Sequence, residues 1–281
     1  MSGPDEAQES SFDVLLGCLD LERLDADLLL GDPGPGKGTL FGGMVAAQSV
    51  VAAGRTVPAE RRLHSLHAYF LRPGRHDVPI RFVVDRIRDG RSFTTRRVKA
   101  HQAGEAIFNL SASFCIEEEG IAHQDPMPEG LPDPEELEDW EILRKRLYPK
   151  GPHYHSPVEV RMVNPPSEQP SPARQRSWMR MRGRLPEDPR LHTAMLVYAT
   201  DRTLLSTASR PHAIPMEQRF GASLDHAVWI HHPVEMNGWL LYASESPIAQ
   251  GAHGMIFGGI FTPGGVRIAS VAQEGLIRRR R

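Results

Sequence analysis

The sequence carries only two cysteines in 281 residues, Cys18 and Cys115, and neither stands in a C-x-x-C pair. Zinc and thiol-redox sites built on closely spaced cysteines are therefore excluded, and a reducing, cytoplasmic setting is expected. An excess of charge of either sign is missing as well. A formal net charge of −2 and a pI of about 6.7 argue against a nucleic-acid binder, because phosphate contacts need a concentrated basic field. The one basic cluster, Arg278 to Arg281, reads as a solvated tail. Nowhere do eighteen apolar residues run together, so no membrane insertion is expected. Residues Met1 to Ser11 are acidic and polar rather than basic then apolar, and the peroxisomal Ser-Lys-Leu signal is absent, so neither address is expected. A G-x-S-x-G elbow is also absent, which disfavours a serine-nucleophile hydrolase.

Several motifs come close to a known chemistry and miss it. The segment from Gly31 to Gly38 nearly spells a phosphate-binding loop, but Gly38 stands where a Mg²⁺-holding Ser or Thr is required, and Pro33 and Pro35 remove cradling amides. It reads as a flexible surface loop. Asn109-Leu110-Ser111 matches a glycosylation acceptor yet lies inside a predicted strand. His153 with His155, and His231 with His232, lack the further carboxylate or cysteine that a metal site needs. No metal and no cofactor is expected.

What is present is a repeat. Residues 42–53, GGMVAAQSVVAA, show helical apolar spacing, with Gly54 as the expected C-cap. Four β-type runs follow (64–71, 80–88, 92–102 and 106–114), divided by turn signals at Arg72-Pro73-Gly74, Arg88-Asp89-Gly90 and Ala103-Gly104. Between Ile121 and Pro172 sit eleven of the 24 prolines, which marks a connector with a short helix near 135–147 and a strand at 158–163. The first pattern then returns: a helical run near 191–205 and strands at 222–230, 239–246, 254–261 and 266–273. Pro73 and Gly104 are separated by the same 31 positions as Pro233 and Gly264, 160 residues further on. Two copies of one helix-then-meander unit are implied. Each apolar sheet face is best buried by wrapping about its helix and pairing with the other copy, a double hotdog of the α+β class. The expected division is 12–120, a connector 121–172, and 173–281.

The segments FGGMVAAQS (41–49), HSLHAYFLRPG (64–74), DRIRDGRSFTTRRV (85–98), SLDHAVWIHHP (223–233) and VAQEGLIR (271–278) together resemble the acyl-CoA thioesterase II family. The resemblance covers residues 12–116 and 174–278, and the ordered set is specific where each segment alone is weak. It implies a tandem double hotdog that hydrolyses acyl-CoA to free fatty acid and CoA. It also implies a trio of aspartate, Ser or Thr, and glutamine that positions the attacking water. The family's Tyr-Ala-x-Asp stretch puts the aspartate at Asp201, the hydroxyl falls on Ser223, and the glutamine before Glu-Gly falls on Gln273.

Chemistry singles out Asp201 independently. It lies three and four residues after Tyr198 and Val197 and the same distance before Leu204 and Leu205, on the apolar stripe of the predicted helix. A carboxylate buried there needs donors, which Ser223 and Gln273 would supply. The rival acid is Asp225, on the same strand face as Ser223 by period-two spacing. The first-half helix offers no acid, so one competent site per chain is expected. Gly90, Arg91 and Ser92 pair a flexible backbone with a cation suited to a CoA phosphate, or form an ordinary turn. Edge strands invite further pairing, so a homodimer or larger assembly is expected. The competing classes are a hotdog-type enoyl-CoA hydratase, disfavoured because no histidine replaces Gln273, and a non-catalytic acyl-CoA binder, against which a buried acid speaks.

Overall fold

The computed structural model describes residues 4–149, 155–167, 169–214 and 218–280, with side chains from residue 11 onward. His153 and Arg281 lie outside the described residues. The N-terminal half comprises α1 (Pro4–Leu19), β1 (Glu22–Asp25), β2 (Leu28–Gly31), α2 (Gly42–Gly54), β3 (Arg62–Phe70), β4 (Ile80–Asp89), β5 (Phe93–Gln102) and β6 (Glu105–Cys115). Then come α3 (Trp140–Leu147), β7 (Val158–Met162), β8 (Arg174–Met181), α4 (Pro189–Thr200) and α5 (Ser206–Ser209). The chain finishes with β9 (Arg219–Ser223), β10 (Asp225–Ile230), β11 (Leu240–Gln250), β12 (His253–Phe261) and β13 (Arg267–Arg279).

The strands form one antiparallel sheet in the order β1-β2-β4-β5-β6-β3-β10-β13-β12-β11-β8-β7, with β9 added to the far end of β13. That order reads the same from both edges toward the β3–β10 pair, so the sequence repeat is a structural one. The seam is held by register pairs running from Asp225 opposite Tyr69 to Trp229 opposite Ser65. Each sheet half curves about one helix. The alternating inward residues of β5 and β6, among them Val98, Ala100, Phe108 and Leu110, are buried, as are Ile256, Ile260, Ile268 and Val271 in β12 and β13. Period-two alternation over one buried face is clearest in β5, whereas β12 and β13 also bury consecutive residues.

The two helices pack antiparallel against each other. A Cβ on Gly43 would stand 2.7 Å from the Tyr198 carbonyl, so the start of α2 meets the end of α4. At the opposite end the Arg190 guanidinium donates to the Gly54 carbonyl at 2.8 Å. Alanines at 46, 47, 52 and 53 in α2 and at 194 and 199 in α4 are buried and keep the helices close.

Three sequence expectations need correction. Gly54 is the last residue of α2 rather than a left-handed cap, and Arg55 caps the helix with right-handed angles (φ −68°, ψ −10°). The second helix ends at Thr200 instead of running to Leu205, because the chain turns there into the short α5. The strand expected at 222–230 is two strands, broken at Leu224, whose N–H donates to the Glu274 carbonyl. Elements α1, β1, β2 and β8 carry no turn signal strong enough to have been expected.

Candidate active site

Asp201 follows the last residue of α4 and occupies its C-cap position (φ −79°, ψ −8°). The carboxylate is only 8% exposed, as its apolar neighbours suggested, although it caps the helix instead of sitting within it. Ser223 closes β9 and Gln273 lies in mid-β13. The β9–β13 register sets Ser223 opposite Gly275, two residues from Gln273, so both side chains reach the end of α4. Ser223 Oγ donates to Asp201 Oδ1 at 2.9 Å, and Gln273 Nε2 donates to the same oxygen at 3.3 Å and to Ser223 Oγ at 2.7 Å. The structure thus brings Asp201, Ser223 and Gln273 into one hydrogen-bonded cluster.

Burial raises the Asp201 carboxyl above its ordinary value, while nearby His226, the bonds from Ser223 and Gln273, and the Gly43 backbone N–H draw it back. The start of α2 stands directly across. Its N-cap, Phe41, offers no side-chain acceptor, so the first-turn amides keep the partial positive charge of a helix N-terminus beside the carboxylate. A Cβ on Gly42 would overlap the Phe70 ring and stand 3.0 Å from Asp201 Oδ2. Only glycine permits this approach of backbone to acid.

Asp201 and Ser223 line a cavity of about 1400 Å³, whose wall is apolar at Leu40, Phe41, Met44, Phe70 and Phe108 and cationic at Lys37 and Arg72. The Pro- and Gly-rich loop, expected to be a surface loop, contributes Pro33 to Lys37 to that wall. A second, smaller cavity of about 220 Å³ adjoins Asp201 and includes Trp140, Met162 and Arg219 in its wall. The carboxylate therefore sits where two spaces meet. Gln273 has no exposed surface and reaches the cavity only through its two partners.

The other expected residues lie elsewhere. Asp225 does not share a face with Ser223, because the break at Leu224 resets the alternation, and its carboxylate accepts the Glu274 N–H at 2.6 Å. Gly90, Arg91 and Ser92 form the tight β4–β5 turn, with the Gly90 and Arg91 carbonyls bonded to Arg61 and the Ser92 hydroxyl to Glu118. None of the three lines either cavity. Among the described residues there is no group of three or more His, Cys, Asp or Glu side chains able to hold a metal, and no helix is long and apolar enough to cross a membrane.

The opposite junction of the two helices has diverged. Arg55 occupies the position corresponding to Asp201, and Pro189 with Arg190 replaces the Gly42-Gly43 pair. There Arg190 donates to the carbonyls of Gly54, Val57 and Pro58 at 2.8, 3.0 and 2.6 Å, which fills the junction with a clamp. Among the described residues, acid, hydroxyl and amide converge at the Asp201 junction and not at the Arg55 junction.

One neighbour was not foreseen. His226 is completely buried, and its Nδ1 lies 2.6 Å from Gln273 Oε1 and its Nε2 2.9 Å from Thr200 Oγ1. The signal was available, since period-two spacing sets His226 inward with Val228 and Ile230.

The fold is thus a paired hotdog with a buried acid at the junction of its two helices, beside a cavity of about 1400 Å³. The acyl-CoA thioesterase family model matches residues 154–276, and the acyl-CoA thioesterase N-terminal domain model matches residues 31–115. The chain is 39% identical to acyl-coenzyme A thioesterase 8 of Mus musculus, covering 94% of this chain and 89% of that one. It is 36% identical to acyl-CoA thioesterase 2 of Haemophilus influenzae over 94% and 96%. Among solved structures, acyl-CoA thioesterase II TesB2 from Mycobacterium marinum is 40% identical with a TM-score of 0.79, covering 95% of this chain and 98% of that one. The chain belongs to the acyl-CoA thioesterase family and is an acyl-CoA thioesterase.

Proposed function

We propose that the protein hydrolyses fatty acyl-CoA to free fatty acid and CoA by a water that Asp201 activates, with Ser223 and Gln273 holding the carboxylate and that water in line. The observation that carries this reading is the cluster in which Asp201 and Ser223, on the cavity wall, are bonded to the buried Gln273 behind them, at hydrogen-bond distances of 2.7 to 3.3 Å. A carboxyl raised by burial is a better proton acceptor than a free one, and a positioned base contributes about 10²–10⁴-fold. A first-turn amide of α2 polarises the thioester carbonyl, an effect worth about 10²–10³-fold for one preorganised donor. A thioester has a long arm on each side of its reacting carbon, and two cavities adjoining Asp201 suit such a substrate.

The hydratase reading requires a histidine facing the substrate beside the acid. His226, bonded to the cluster, has no exposed surface and both ring nitrogens are engaged, while His76 and His155 on the cavity wall meet the Gly34 carbonyl and Glu141 instead of the cluster, which disfavours that reading. The domain division follows the proposal: hotdog units at 12–120 and 173–281 joined by 121–172, whose strand β7 extends the second unit's sheet. Assembly into a homodimer or larger oligomer, and action in a reducing cytoplasm, complete it.

Thiol release from acyl-CoAs of graded chain length, run beside an enoyl-CoA hydration assay, tests the reaction. A single turnover in heavy-oxygen water tests the mechanism. Label should enter the fatty acid and leave the Asp201 peptide unchanged. Label in Asp201 would show that the carboxylate attacks the thioester itself.

A further inference from the structure

We infer that His226 is a positioning residue for hydrolysis, one that locks the amide of Gln273 in the single orientation useful to Asp201; this rests on the catalytic reading of Gln273. A glutamine amide can be turned by half a rotation, which exchanges its acceptor and its donors. The neighbours decide which end faces the acid. Ser223 spends its one hydroxyl proton on Asp201 Oδ1, so it can only accept from Gln273. A Gln273 oxygen turned to that side would face a lone pair of Ser223 and the Asp201 carboxylate together. The NH2 group therefore points at Asp201 and Ser223, and Oε1 points back at His226 Nδ1, 2.6 Å away.

An acceptor at Nδ1 obliges the imidazole to carry its proton there. Burial lowers the basicity of His226 against the opposing pull of Asp201 and the Gln273 bond, and in the neutral ring Nε2 carries no proton and accepts. The group facing Nε2 is the Thr200 hydroxyl at 2.9 Å; its single proton can go to Nε2 or to the Val197 carbonyl at 3.0 Å, and a proton-free Nε2 takes it. Thr200 is the last residue of α4 and precedes Asp201 in the chain. Its carbonyl also accepts from the Tyr242 hydroxyl at 3.2 Å. The series Thr200 O–H to His226 Nε2, His226 Nδ1–H to Gln273 Oε1, and Gln273 N–H to Asp201 and Ser223 runs in one direction. It ties the end of the helix that carries the acid to the amide that orients the acid.

The test is a double-mutant cycle with a conservative rescue. His226→Leu removes the donor while filling space, and kcat should fall by about 10- to 100-fold with KM changed by less than about threefold, the pattern of a displaced catalytic group. His226→Asn places an amide N–H near the position of Nδ1–H and should recover most of the lost kcat. In a Gln273→Ala background, His226→Leu should cost less than about twofold more, because nothing remains to be oriented. Heteronuclear NMR of the histidine-labelled wild-type protein should show a neutral Nδ1–H tautomer for His226, a readout that does not depend on any variant folding. An Nε2–H tautomer, an equal loss in both backgrounds, or no recovery with Asn would each overturn the inference. A Gln273→Ala enzyme of undiminished kcat would instead sink the catalytic reading of Gln273, and this inference with it.

Discussion

Replacing Asp201 by asparagine exchanges one carboxylate oxygen for an amide and leaves nearly the same volume. The retained Oδ1 can still accept from Ser223 and Gln273, now at 2.9 and 3.3 Å, so the cluster has no reason to come apart. What disappears is the negative charge and the ability to take a proton from water. If Asp201 supplies the base, kcat should fall by about 10²–10⁴-fold, equivalent to about 3–5 kcal/mol of barrier, while KM moves little. Stability should change in the opposite direction. Because burial raises the Asp201 pKa above its ordinary 3.8, the native state binds that proton more tightly than the unfolded chain. Ionised Asp201 then subtracts stability, fully above its raised pKa and not at all below 3.8. The asparagine variant should therefore melt at a higher temperature than wild type at pH 8, with the gap narrowing as pH falls. Thiol-release kinetics and thermal unfolding at matched pH values read both effects on one pair of proteins. A variant that keeps more than about a tenth of wild-type kcat, or melts lower than wild type at pH 8, would refute the reasoning.

Ser223→Ala and Gln273→Ala should each cost less kcat than Asp201→Asn, and their losses should fail to add to it, since all three act on one water. Asp225→Asn serves as the control and should keep near-wild-type kcat in the same assay, because its carboxylate accepts the Glu274 N–H and is not hydrogen-bonded to Asp201, Ser223 or Gln273. Gly42→Ala pushes a methyl into Phe70 and toward Asp201 Oδ2, and should lower kcat by at least about tenfold, with overpacking costing about 1–3 kcal/mol by chemical denaturation. Arg96→Met should destabilise the protein by about 1–3 kcal/mol and spare kcat, because the buried guanidinium serves Thr56 and Asp89 far from the cluster. Chelator should leave thiol release unchanged; loss in chelator with recovery on added Zn²⁺ would show a metal requirement.

Most of the meander was legible because a half-buried strand repeats every two residues and its turns announce themselves, as at Ala103-Gly104, where both residues take positive φ. The repeat was legible for the same reason, since matched turns at Pro73 and Pro233 survive divergence better than side chains do. The end of α4 was not legible: Leu204 and Leu205 continue the helical spacing, and only the tertiary turn into α5 shows that Asp201 caps the helix. The break at Leu224 was hidden likewise, because a strand that leaves one partner for another keeps its composition. The segment Pro33 to Lys37 is part of a largely exposed loop, as expected, but no local rule says that a loop far from Asp201 in sequence also walls its cavity. His226 carries no local signal beyond its inward period-two position, and Asp225 beside it is the more conspicuous acid.

The clamp that Arg190 makes on the end of α2 has a consequence for how such an enzyme can vary. In a symmetric pair of identical chains the contact is isologous, so any substitution at one helix junction is copied at the other. Joining the copies in one chain removes that constraint. A junction holding a desolvated acid and a helix start without a side-chain N-cap pays in stability for reactivity, whereas a junction sealed by a guanidinium on three carbonyls does not. Once the copies are encoded separately, substitutions that tune substrate preference can accumulate at the reactive junction while the sealed one carries the fold. Tandem fusion thus divides the trade-off between activity and robustness in space, so that one protein does not have to strike the same compromise twice.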